Sequence, residues 1–242
     1  APAFTELNLA HPGFFRGFAA LLSEAPAADW QAYLRWHVVA TAAPLLSAPF
    51  VAENFRFYET EVRGVTDQKP RWRRVVAWID GARLDNIAGI EGGIGEALGQ
   101  LYVAEHFPPE AKARVLKLVA DLRAALCERI QALDWMDAPT RTKALAKLEA
   151  FGVKMGYPDT WRDYRALRID RGPLVLNVLR ARAFDSRRDL AKIGRPVDKT
   201  EWGMTPPTVN ASYGASTNTV LFPAGILQPP FFDPKAGDAV NY

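Results

Sequence analysis

Three histidines and one cysteine, set among 27 acidic residues, are the side chains that could carry acid–base, nucleophilic or metal chemistry. A catalytic zinc on a helix face needs two imidazoles one turn apart, because the metal takes both from one side. His11, His37 and His106 each lack a second histidine three to five residues away. His37 lies in the apolar run Trp36-His37-Val38-Val39, and His106 stands before Phe107. Both read as structural histidines, capped or hydrogen-bonded, so no metal ligand set is expected in this chain. Cys127 is alone, which rules out an intrachain disulfide and a cysteine-based zinc site. Its apolar helical setting predicts a buried thiol acting as a small hydrophobe. No Gly-x-Ser-x-Gly elbow is present. Glu59 with Glu61, and Glu201 near Asp198, are pairs that surface helices and loops ordinarily carry. The chain has no self-sufficient catalytic set.

Substrate holding is the chemistry that remains. Near the end, Thr208-Val209-Asn210-Ala211-Ser212-Tyr213 and Thr219-Val220-Leu221-Phe222 are β-prone runs flanking the small-residue loop Gly214-Ala215-Ser216-Thr217-Asn218. That pattern predicts a hairpin. Pro229 and Pro230 cannot donate ladder hydrogen bonds, so pairing should stop by there. An exposed strand can bind an extended peptide through main-chain hydrogen bonds, with side chains in alternating pockets. By spacing alone, the same residues read as a hairpin and a core plug ahead of a substrate strand.

The composition, 49% hydrophobic and 24% charged over 242 residues, is that of a soluble globular protein with material for a sizeable core. Lys and Arg number 30, so the net charge is only +3, and acids are interspersed with bases. The densest basic cluster, Arg71, Arg73 and Arg74 among Trp72 and Trp78, sits at a predicted helix start and reads as a solvated face. Nucleic-acid binding is therefore not expected. Neither a signal peptide nor a bilayer-spanning run is recognisable. Ala1 is not an initiator, and Ala239-Val240-Asn241-Tyr242 has no helix stop or charged tail, so the chain reads as trimmed at both ends.

The elements that would carry these residues are mainly helical. Helices are predicted from Pro12 to about Ala25, then from an Asp29 N-cap onward, with Pro44 and Pro49 breaking the pattern before Phe50 to Val62. Another starts after Pro70, and Glu96 to Phe107 and Ala111 to Leu133 follow. Asp137 is the predicted cap of a helix running to Phe151, and Val175 to Ile193 is helical. Gly152 to Pro158 reads as irregular or a short strand. Five glycines in the fifteen residues Gly81 to Gly95 predict a loop or broken helix. Gly93, Gly95 and Gly99 miss the dinucleotide fingerprint by one residue, and no strand precedes them.

The segments Val209-Asn210-Ala211-Ser212-Tyr213, Val220 to Asp233 and Ala239-Val240-Asn241-Tyr242 resemble the stretch just before the zinc-binding helix in the neprilysin and endothelin-converting-enzyme family of zinc metallopeptidases. Ala97 to Phe107, Leu133 to Arg141 and Gly156 to Tyr164 are similar to other segments of that family, while Gly81 to Gly95 looks like an insertion. The resemblance implies a bacterial member, read at its N-terminal side and ending just before His-Glu-x-x-His. The implied fold class is mainly α: a multi-helix lobe over residues 1–170, capping a cavity, then a linker helix and a short β-hairpin over 171–242 that open a thermolysin-like catalytic lobe. The implied activity is zinc-dependent endoproteolysis of peptides, with zinc in the complete enzyme and none in this chain. The implied partners are peptide substrates and the remaining catalytic portion of the same protein. By the same resemblance Asn210 and Ala211 hold the peptide backbone, while Ile226 and Phe231 line the pocket for the residue after the scissile bond. A small side chain at 211 lets the substrate approach closely. A periplasmic or otherwise exported location is expected over a cytoplasmic one. The rival expectation is a non-catalytic peptide-binding or assembly module.

Overall fold

The structure, a computed structural model, describes residues 8–80 and 94–242. The glycine-rich stretch, apart from its last two residues, therefore lies outside the described residues. In chain order the elements begin with α1 (Pro12–Glu24), α2 (Ala27–Ala42), a 3-10 turn (Ala43–Leu45), α3 (Ala48–Phe55) and a π-helical turn (Arg56–Glu61). Next come α4 (Arg71–Asp80), α5 (Gly95–His106), α6 (Pro109–Ala132), α7 (Ala138–Glu149) and β1 (Gly152–Gly156). The rest are α8 (Leu174–Leu190), β2 (Ser212–Gly214), β3 (Thr219–Pro223) and α9 (Asp238–Asn241). The chain is mostly helical with a small sheet, as the sequence predicts.

Proline starts many of these helices, because its fixed φ suits a first turn where its missing N–H has no partner to lose. Pro12, Pro49, Pro109 and Pro139 all stand in first turns. Asp137 caps α7 as predicted, its Oδ1 accepting from the Thr140 N–H at 2.8 Å. Asp29 does not cap α2. Pro26 takes the cap position, its carbonyl accepting from the N–H groups of Asp29 and Trp30, which leaves Asp29 within the first turn.

The chain forms two compact units. One contains residues 8–78 with Ala166–Val197. In it the ring of Phe18 meets Trp30 edge-on at 6.1 Å, joining α1 to α2, and Trp30 meets Tyr33 in the same way. Ala43, Trp78 and Ala181 are its buried apolar residues among those described. Asp170 pairs with Arg180 of α8 at 2.8 Å, and Asn177 bonds both the N–H and the carbonyl of Asp170.

The other unit contains Ile94–Arg165 and Asp198–Tyr242, with residues 79–80. Its sheet has the order β1-β3-β2. β1 runs parallel to β3, with Gly152 opposite Thr219 and Gly156 opposite Pro223. β2 runs antiparallel to β3, with Ser212 opposite Leu221 and Gly214 opposite Thr219. Val103 of α5 and Phe107 directly after it, with Ala111 and Val115 of α6, form one wall of the core. Met155 of β1 and then Ala224, Leu227 and Phe232 form the other. Gly156, at φ +80°, leaves the space that the Phe107 ring fills. Among the described residues no single helix is long and apolar enough to cross a membrane.

Candidate peptide-binding edge

The hairpin is shorter on its first side than the sequence predicts. β2 begins at Ser212, so Val209, Asn210 and Ala211 precede the strand. The reason lies at Asn210, whose side-chain Oδ1 accepts from the Ala211 N–H at 2.8 Å. This local side-chain bond competes with ladder pairing, as asparagine side chains do at turns. Asn210 and Ala211 are both exposed. β2 lies at an edge of the three-stranded sheet.

Two features hold that edge in place. Gly225 donates to the Pro206 carbonyl at 2.8 Å. A Cβ at 225 would stand 2.6 Å from the Pro207 carbonyl carbon and 2.7 Å from the Thr208 oxygen, so only glycine permits this approach. On the loop side, Asn218 takes a left-handed conformation at φ 51°. Its Oδ1 accepts from the Tyr213 hydroxyl at 3.0 Å and its Nδ2 donates to the Lys147 carbonyl of α7 at 2.8 Å. The Tyr213 ring also stacks with Phe151 at 6.4 Å. From β1, Lys154 Nζ donates to the Glu201 carbonyl at 2.5 Å, and burial pulls its pKa below the usual lysine value against the opposing charges of Asp198 and Glu201.

Past β3 the chain turns through Ala224 to Phe232. Ile226 is half-buried, packed against the core, whereas Phe231 is 69% exposed. Gln228 fixes the turn by donating to the carbonyls of His106 and Ala224, at 3.1 and 3.2 Å. Asn241 then closes the following loop, its amide bonding both the N–H and the carbonyl of Asp233. Arg114 of α6 plugs that loop, donating to the carbonyls of Pro234 and Ala236 and pairing with Asp238 at 2.9 Å. Neither Gln228 nor Arg114 is legible as a site-builder in the sequence, since each ties its turn to a main-chain carbonyl more than a hundred positions away.

The other chemistry-bearing residues are dispersed. His11 precedes α1 without a side-chain cap bond, the His37 ring lies 4.3 Å from that of Tyr33, and the His106 ring lies 5.0 Å from that of Tyr102. Among the described residues no three His, Cys, Asp or Glu side chains gather to hold a metal ion. Cys127 is half-buried, not buried: it lines an open groove between α6 and α7 and meets the Gln131 amide at 3.8 Å. Glu59 faces Arg63 at 3.7 Å, and Glu61 pairs with Arg56.

The family model described as peptidase family M13 matches residues 1–158 at its N-terminal part and residues 210–242 at its catalytic part. The chain is 33% identical to human endothelin-converting enzyme-like 1 over 98% of its own length and 30% of the relative's. It is 30% identical to neprilysin-2 of Drosophila melanogaster, over 98% of its length and 32% of the relative's. Among solved structures it is similar to the zinc metalloprotease Zmp1 of Mycobacterium tuberculosis in its open state. That likeness has 44% identity and a TM-score of 0.85, and covers 98% of this chain and 35% of the other. The chain thus spans about a third of the length of the relatives it matches. With most of its residues matched by the family's models, its hairpin included, the chain belongs to peptidase family M13.

Proposed function

We propose that this chain supplies the helical lobe and the peptide-holding edge of a zinc-dependent metalloendopeptidase. The observation that carries the reading is the place of β2 at a sheet edge, with exposed Asn210 and Ala211 directly ahead of it. The lobe assignment, 1–170 as cap and 171–242 as linker helix and first catalytic strands, belongs to this proposal. Zinc has no ligand set among the described residues, so the metal and its activating base are assigned to other residues of the same protein.

An extended peptide laid beside β2 exchanges main-chain hydrogen bonds with the edge. Asn210 has its Oδ1 engaged by the Ala211 N–H, which leaves Nδ2 to donate to a peptide carbonyl. Ala211 offers its carbonyl to a peptide N–H, and its methyl side chain keeps the approach open. Phe231, exposed, and Ile226, half-buried behind it in sequence, supply apolar surface for the residue after the scissile bond.

The test uses the protein as its own cell makes it, with an internally quenched peptide substrate. Hydrolysis that stops with a chelator and returns with zinc supports the proposal. Asn210→Ala should raise KM about tenfold, the cost of one hydrogen bond to a peptide in a desolvated groove. Chelator-resistant hydrolysis, or one tightly bound zinc in the 242-residue chain itself, would overturn it.

A further inference from the structure

α8 carries apolar side chains on two opposite sides. On one side Ala181 is buried, with Val178 and Asp185 half-buried next to it. On the other, Leu176, Leu179, Ala183, Ser186 and Leu190 follow one another at intervals of three, four, three and four residues. At 3.6 residues per turn these five positions fall within roughly 80° of arc, opposite Ala181. Leu176, Leu179 and Leu190 are 43%, 52% and 65% exposed. A single exposed leucine on a surface helix is ordinary. A seam that keeps this three-and-four spacing along a whole helix is the pattern that receives a second helix.

Charge borders the seam. Arg180 and Arg187 stand on one flank and Arg182 on the other, each next in sequence to a seam residue. Arg180 pairs with Asp170 at 2.8 Å. No carboxylate among the described residues pairs with Arg182 or Arg187. Asp189, on the flank of Arg182, is engaged by Lys192 at 2.7 Å. Across Ala166–Val197, eight Lys and Arg stand against three Asp, a net charge of +5 where the whole chain carries +3. The surface along α8 is thus at once apolar and basic.

We propose that an acidic amphipathic helix of the same protein, outside residues 1–242, docks along this seam. Its apolar side chains would fill the spaces left at Ala183 and Ser186, and its Glu or Asp residues would meet Arg182 and Arg187. The chain spans about a third of the length of the relatives it matches, so a protein of their length has ample further chain to supply the helix. This inference rests on the reading of the chain as part of a longer peptidase. A second copy of α8 fits poorly, because pairing in either direction sets arginine flanks against each other. An anionic membrane also fits poorly. Helices that lie in a bilayer interface carry a wide face of bulky residues, whereas this seam is narrow and has Ala183 and Ser186 within it. Small residues there let a second backbone come close.

The experiment uses the protein as its own cell makes it, with p-benzoylphenylalanine in place of Leu179 and, separately, of Leu190. After irradiation and proteolysis, mass spectrometry is expected to find both adducts in one acidic segment of the same polypeptide outside residues 1–242. On a helix the two attachment points should lie about eleven residues apart. On the unaltered protein, hydroxyl-radical labelling of Leu176, Leu179 and Leu190 should be largely lost relative to a free peptide of residues 174–190. Arg182→Glu with Arg187→Glu should quicken amide exchange over Leu176 to Leu190 about tenfold, two surface attractions being exchanged for two repulsions. Arg182→Lys with Arg187→Lys should leave it unchanged. Adducts to a second copy, to lipid or to another protein, adducts scattered over unrelated segments, or labelling as fast as in the free peptide would each overturn the proposal. So would a Glu pair that exchanges no faster than the Lys pair. If the Glu pair does not fold, labelling of the unaltered protein decides the matter. Chelator-sensitive hydrolysis by the same preparation tests the peptidase reading by itself, so an active enzyme with an uncovered α8 sinks this inference alone.

Discussion

Asn218 combines three roles that ordinary residues cannot share, and replacing it separates them. Its φ of 51° lies in the left-handed region, which asparagine tolerates and alanine does not. Its side chain joins the Tyr213 hydroxyl to the Lys147 carbonyl, and its own carbonyl accepts from the Gly152 N–H at 2.8 Å. Asn218→Gly keeps the backbone conformation and loses both side-chain bonds, each worth about 0.5–1 kcal/mol at a partly exposed position. Asn218→Ala loses the same bonds and adds the left-handed penalty of about 1 kcal/mol. The expected losses are therefore roughly 1–2 kcal/mol for glycine and roughly 2–3 for alanine. Urea denaturation of both variants measures the difference through the midpoints at constant slope. Amide exchange across Ser212 to Gly214 should quicken in both variants, because Tyr213 loses its anchor to α7. An alanine variant as stable as the glycine variant would refute the backbone part. Two variants indistinguishable from the parent would refute the whole account.

Further outcomes are expected elsewhere. Arg114→Ala should release the loop closed by Asn241, at a cost of roughly 2–3 kcal/mol for the lost charged hydrogen bonds, and speed amide exchange in residues 234–241 while α5 is unchanged. Arg114→Lys should recover only part of that protection, since an ammonium cannot fork across three acceptors. Hydrogen bonds from the Thr140 side chain, then from its N–H, hold Asp137 below the usual carboxylate pKa. Its folded value is thus the lower one, so its contribution to α7 is complete above the unfolded value of about 3.9 and disappears as pH falls through the folded one. The Thr140 amide resonance should follow that loss, and Asp137→Asn should abolish the dependence. Gly225→Ala should displace Pro206 to Thr208 and weaken peptide binding at the edge more than it lowers the urea midpoint, read by titrating an extended peptide.

Helix positions were legible because their signals are local. Pro12, Pro139 and Asp137 act within one turn of where they stand, and α6 carries its core contacts Ala111, Val115 and Val119 in its own periodicity. The π-helical turn was not, since Phe55 to Tyr58 fit helical spacing whether the bonds close four or five residues back. The hairpin was found, but its first strand began late because Asn210 bonds its neighbour's N–H rather than the ladder. The short β1 could be suspected; its parallel partner could not, since nothing in Gly152 to Gly156 specifies Thr219 to Pro223. Of the candidate site, Asn210, Ala211, Ile226 and Phe231 were named through resemblance. Gln228 and Arg114, which set the turns around them, act through main-chain carbonyls and leave no pattern to read.

The parallel pairing of β1 with β3 also governs the order in which the chain can fold. It closes a loop of about sixty residues, and α8, which belongs to the other unit, forms within that loop. Hairpin and helices can form from neighbours as they leave the ribosome, but β1 must wait for β3 with its edge unpaired. In that interval Val153 and Met155 have no strand beside them. Synthesis that pauses after α8 should therefore lengthen the life of a species with an open β1 edge, the form most prone to pair with another chain. A ribosome-arrested nascent chain ending near Arg195 should be protease-sensitive at Gly152 to Gly156, and one extended well past Tyr242 should be protected there.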